Sequence, residues 1–136
     1  MDRIIGRGEY RVFSGRQQTE LGRANEARAW VVFQRLMGSM EKPEWLKSIR
    51  KATWKEDHEQ ETDFVVETTD IGPIFLNIKS SMYHVDLFNS ERRSRRVIAI
   101  LMNAELAAEE YLIEDIILDI LWKEYEYIRL LRRDPI

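Results

Sequence analysis

The sequence predicts a mixed α/β domain built on one central sheet. Three observations predict it. Two β-rich runs, "TDFVVET" and "IFLNIKS", flank the turn signal "TDIGP". Apolar residues recur at helical spacing through 19–37 and again through 104–132. A third β-type run, "VIAILM" at 97–102, reads as a buried strand. The predicted order is α-β-β-β-α-β-α, a mixed sheet flanked by helices.

Residues 1–18 carry Arg3, Arg7, Arg11 and Arg16 against Asp2 and Glu9, with three glycines. They read as an irregular basic arm. The first helix spans 19–37, with Thr19 as N-cap and Gly38 as its stop. Its apolar stripe is Ala27, Trp30, Val31, Phe33 and Met37, with Gln34 among them and Glu26 near its upper end. A half-buried acid there needs a partner. Residues 39–46 read as a loop, and 48–57, "SIRKATWKED", as a first strand with a basic entry from Lys47, Arg50, Lys51 and Lys55. With the hairpin turn centred on Ile71, Asp63 faces Lys79 and Val65 faces Asn77. Asp63, Asn77 and Lys79 then share one side of the hairpin. "SMYHVDLFNSERRSRR" is a polar crossover, read as a loop or short helix. The final helix, 104–132, presents Leu106, Ile113, Ile116, Ile117, Ile120, Leu121, Tyr125 and Ile128 on one face. Unbroken, it would run to about 43 Å, longer than a small domain is wide. It therefore breaks, or it packs on a second copy of the chain.

Composition narrows the function. With 136 residues, 44% hydrophobic and 33% charged, the chain has the makings of one domain with a real core. A net charge of −3 argues against a generic basic nucleic-acid coat while allowing a local basic face. The absence of cysteine excludes disulfides, thiol nucleophiles and cysteine-ligated zinc, and suits the cytoplasm. No apolar run approaches the ~20 residues of a membrane span, and "MDRIIGRGEYRVF" has no signal-peptide core.

An acid, Asp63, opens one hairpin strand, and a lysine, Lys79, closes the other. A glutamate, Glu26, lies on the preceding helix. The segments "GRANEARAW", "ETDFVV" and "NIKSS" resemble the three motifs of the PD-(D/E)XK nuclease superfamily. The first is similar to the G-x-x-x-E helix of archaeal Holliday-junction resolvases. The resemblance covers about residues 22–102 in order and spacing, with two departures. Thr62 stands where the family has proline, and Asn77 stands where it has a second acid.

What the resemblance implies is a restriction-endonuclease-like fold and hydrolysis of DNA phosphodiester bonds with Mg²⁺ or Mn²⁺. Asp63, Glu26 and Asn77 would then be the metal ligands, since these cations take hard oxygen donors. Lys79 would orient the nucleophile and offset negative charge. Asn77 offers an amide oxygen but no charge, so Glu61 or Glu67 would have to supply any displaced acid. Arg92, Arg93, Arg95 and Arg96, with Ser80 and Ser81, would contact phosphates. His58 would be a proton shuttle or a surface residue. The expected partners are DNA and a second copy through the last helix, with no membrane. Asn77 also supports the alternative of an inactive nuclease-fold binding or assembly module.

Overall fold

The computed structural model describes residues 15–91 and 96–133. The first 14 residues of the basic arm, together with Arg92, Arg93 and Arg95, lie outside them. The chain order is α1 (Gly15–Met37), β1 (Leu46–Lys51), α2 (Trp54–Gln60), β2 (Phe64–Thr68), β3 (Pro73–Lys79), α3 (Met82–Glu91), β4 (Val97–Leu101), α4 (Ala104–Ala107) and α5 (Glu110–Arg133). The four strands form one sheet in the order β1-β2-β3-β4. The first three strands run antiparallel, and β4 pairs parallel to β3. The α3 crossover makes that parallel step possible. An α/β domain with a mixed, helix-flanked sheet is thus what these residues build.

One face of the sheet carries the main core. Leu46 and Ile49, Phe64 and Val66, Ile74 and Leu76, and Ile98 and Ile100 cluster with α1 and α5. From α1 come Ala29, Val32, Phe33 and Leu36; from α5 come Ile113, Ile117, Leu121, Tyr125 and Ile128. The α1 stripe therefore differs from the expected one: Ala27, Val31 and Gln34 are exposed. Apolar residues surround much of this helix, and burial of Phe33 against Phe64, ring edge to face at 5.0 Å, decides which side turns inward. α1 also begins at Gly15, ahead of the expected cap at Thr19. Arg16, Gln17 and Gln18 are adequate helix formers and extend it.

Two further expectations are corrected. The segment read as a strand over 48–57 ends at Lys51, and residues 54–60 are the helix α2. Thr53 caps it: its hydroxyl accepts from the Glu56 N–H, and the Glu56 carboxylate accepts from the Thr53 N–H. This reciprocal capping box outweighs the loose alternation of Ile49, Ala52 and Trp54. The last helix breaks after Ala107, with Asn103 capping the short α4 before α5 begins. Its wide apolar face is covered chiefly by the chain's own core. What α5 leaves exposed is Tyr111, Leu112, Trp122, Tyr127, Leu130 and Leu131. Among the described residues no helix is long and apolar enough to cross a membrane.

Candidate active site

Asp63 stands one residue before β2, at the end of the sheet where β3 finishes. Phe64 pairs with Leu76, which sets Asp63 beside Asn77 rather than Lys79. The pairing is thus two residues away from the expected register. A shift of two preserves the face, because side chains alternate with period two. Asp63, Asn77 and Lys79 remain on one side of the hairpin, opposite the main core.

Backbone contacts fix Asp63 firmly. Its N–H donates to the Leu76 carbonyl at 2.7 Å, and its carbonyl accepts from Ala52 at 3.0 Å. Its carboxylate Oδ2 accepts the Ile78 N–H at 2.7 Å. Burial raises the Asp63 pKa, and Asp57 pushes the same way. The Ile78 N–H and the charge of Lys79 oppose them. Lys79 is therefore near enough to be felt by Asp63. Its ammonium lies 5.3 Å from the centre of the Phe88 ring on α3, a cation–π contact.

Glu26 arrives from α1, one helical turn before Trp30, whose ring stacks at 6.0 Å on Phe64, the residue after Asp63. Burial drives the Glu26 carboxyl up to about 7, and the negative charges of Asp63 and Asp57 add to this against the weaker pull of Arg23. The native state then binds more protons than the unfolded chain between about pH 4.5 and 7. Stability of the metal-free protein is expected to fall as pH rises through that window and to level off above it. Glu26→Gln should remove much of that slope and exceed wild type in stability at about pH 8. Urea unfolding across pH checks this; equal slopes for the two proteins would mean that Glu26 titrates as an ordinary surface acid.

Asn77 is 8% exposed, and its Oδ1 is buried with no hydrogen-bond partner. Its Nδ2 donates to the Glu61 carbonyl. Glu61 ends α2 in the left-handed region at φ 52°, a conformation that side chains other than glycine adopt at a cost. Asn77 thus holds a strained turn with one end and presents an unpaired oxygen with the other. An orphaned buried acceptor beside a carboxylate whose pKa is raised suits a cation. Hard oxygens from Asp63, Glu26 and Asn77 match Mg²⁺ or Mn²⁺, and Mg²⁺ commonly takes only one or two carboxylates and keeps several waters. Among the described residues, no group of three or more His, Asp or Glu side chains is placed to hold a metal ion. A cation held here would need the Asn77 oxygen in addition to carboxylates.

Asn77→Asp should have two opposed effects. It removes the donor to Glu61 and adds a negative charge, lowering metal-free stability by about 1–3 kcal/mol. It also tightens Mn²⁺ binding, so the melting temperature should rise more on adding Mn²⁺ than it does for wild type. Thermal melts with and without Mn²⁺ test this; a variant whose response to Mn²⁺ equals that of wild type would remove Asn77 from the ligand set.

The residue that sequence reasoning missed is Asp57. Misreading 48–57 as a strand hid it, although the Thr53-x-x-Glu56 pattern was there to mark the helix. α2 bridges β1 and β2, and Arg50 anchors it. The Arg50 guanidinium contacts both Glu56 oxygens at 2.8 Å and Glu67 at 3.1 Å. That pairing pulls the Glu56 carboxyl down to about 2. Glu67 is therefore part of this clamp rather than a displaced ligand, and Glu61 is exposed, with its backbone carbonyl held by Asn77.

The remaining expected residues fall elsewhere. Arg96 donates to the Pro73 carbonyl at 2.9 Å. Because β4 runs parallel to β3, the residue entering β4 lies at the start of β3, the opposite end of the sheet from Lys79. Arg96 is thus not beside the site. Ser81 caps α3, accepting the His84 N–H at 3.3 Å and pairing with His84 Nδ1 at 2.6 Å. Ser80 is exposed. Thr62, in place of the proline, is fully buried, its hydroxyl donating to the Gln60 carbonyl at 3.1 Å. His58 lies on α2 with its ring stacked on Trp54 at 4.1 Å. Comparison with protein-family models, with curated protein sequences and with solved structures gave no match.

Proposed function

We propose that the protein is a metal-dependent DNA endonuclease of the PD-(D/E)XK type, with an N-x-K in place of the usual acid-x-lysine. The restriction-endonuclease-like fold belongs to the same proposal; the three antiparallel strands and the parallel fourth are in keeping with it. The observation that carries the reading is the convergence at one sheet end. Asp63, Asn77 and Lys79 come from adjacent strands, and Glu26 from α1, electrostatically coupled to Asp63.

Asp63, Glu26 and the Asn77 oxygen would hold Mg²⁺ or Mn²⁺. Such a cation supplies Lewis-acid polarisation of a phosphoryl oxygen and a lowered pKa for water. Lys79 offsets charge that builds on the phosphoryl oxygens and orients the attacking water. The water oxygen bonds to phosphorus as the water gives up a proton, the bond from phosphorus to the leaving sugar oxygen breaks, and that oxygen takes up a proton in turn. With one carboxylate fewer than the family's usual set, the site should need more metal.

The direct test is incubation with branched, duplex and single-stranded DNA in Mg²⁺ or Mn²⁺. Cleavage that EDTA abolishes is the expected result. One observation favours a second reading, a binding or assembly module: Asn77 has a structural task at Glu61 that an aspartate would not perform. Binding of DNA without cleavage at any metal concentration would select it. A second copy of the chain would dock on the apolar residues that α5 leaves exposed.

A further inference from the structure

α2 is an unusual element. None of its seven residues is buried, and its one large apolar side chain, Trp54, is 71% exposed. An indole held in place with one face open offers a flat apolar surface for stacking. This one is held in place. The His58 ring stacks on it at 4.1 Å between centroids and 21° between planes, and His58 Nδ1 lies 2.9 Å from the Trp54 carbonyl. One indole face is thus covered, and the exposure of the side chain leaves the other to solvent. The capping box and the Arg50 clamp fix the helix beneath it.

Its position gives the surface a purpose. Trp54, Asp57 and His58 stand at i, i+3 and i+4, which share one face of a helix. The Ala52 N–H, two residues before Trp54, donates to the Asp63 carbonyl at 3.0 Å, so the indole opens a helix tied directly to the strand end that carries Asp63. The charge of Asp57 is felt by both Glu26 and Asp63. A flat, open π surface complements the flat face of an unpaired nucleobase.

We propose that Trp54 is a stacking platform for an unpaired nucleobase adjoining the phosphate bound at Asp63 and Glu26. This rests on the nuclease reading and names its substrate class: DNA with single-stranded nucleotides at the site, such as a flap, a branch or a free strand. A base inside a continuous duplex has both faces covered by its neighbours and cannot use the platform.

The test is equilibrium binding in EDTA, where no cleavage occurs. A fluorescein-labelled single strand of about 20 nucleotides is compared with the blunt duplex of the same sequence, a length that covers one small binding site. Wild type should favour the single strand. Trp54→Ala should weaken single-strand binding about tenfold or more, the size of one base–aromatic stack, and leave duplex binding unchanged. Trp54→Phe should restore most of the loss. Because Trp54 is exposed, both variants should melt as wild type does. Three results would overturn the proposal: equal loss on both DNAs, no loss on the single strand, or no single-strand binding by wild type. A platform confirmed here in a protein that never cuts DNA would refute the nuclease reading alone.

Discussion

Asp63→Ala is expected to abolish the proposed metal-dependent DNA cleavage, with a loss of more than about a hundredfold for a central electrostatic group. No other residue meets as many demands at the site. Its backbone is fixed to Leu76 and Ala52, its carboxylate is oriented by Ile78, and its charge acts on Glu26. Removing it takes away one of two carboxylates and leaves the Ile78 N–H without its acceptor. Lys79→Ala should be nearly as damaging to cleavage while sparing metal binding, since an ammonium is not a metal ligand. Titration of Mn²⁺ into each variant separates the two roles. Asp63→Ala should lose the binding heat and Lys79→Ala should keep it. Cleavage by Asp63→Ala at a rate near that of wild type would place the chemistry elsewhere.

Phe64→Ala should lower stability by about 3–5 kcal/mol, the usual cost of emptying a buried aromatic site. Phe64 is 2% exposed and joins the sheet to α1 through Trp30 and Phe33. Its loss opens a cavity directly beneath the strand that carries Asp63. α1 would then be less firmly held, and Glu26 with it. Phe64→Leu, which keeps most of the volume, should cost less than about 1.5 kcal/mol. Guanidinium unfolding measures both; a loss below about 1 kcal/mol for the alanine variant would mean that α1 is held mainly by other contacts.

The legible parts of this protein were those with local, strongly patterned signals. The β2–β3 hairpin was readable because β-branched and aromatic residues enclose the "TDIGP" turn. Its register was misjudged by two residues because Thr68 and Gly72 close the turn one residue early: the Thr68 hydroxyl donates to the Gly72 carbonyl and accepts the Ile71 N–H. The error cost nothing at the site, because parity decides which face a side chain joins. α2 was hidden because three apolar residues happened to alternate across its start. The break before α5 carries no glycine or proline, and the one clear cap nearby, Asn103, marks the start of α4 instead. Arg96 was misplaced for a topological reason. A parallel strand begins at the opposite end of the sheet from where its predecessor stopped, and sequence proximity to Lys79 said nothing about that. The Asn77–Glu61 contact depends on a left-handed glutamate that no sequence rule anticipates.

The proposed cation site serving hydrolysis lies where β2 begins and β3 ends. The most direct measurement is a crystal soaked in Mn²⁺ with data collected for anomalous scattering. A peak bounded by the Asp63 carboxylate, the Asn77 oxygen and Glu26 is the predicted result. Saturating Mn²⁺ with no peak there, or a peak only at surface acids away from Asp63, would contradict it.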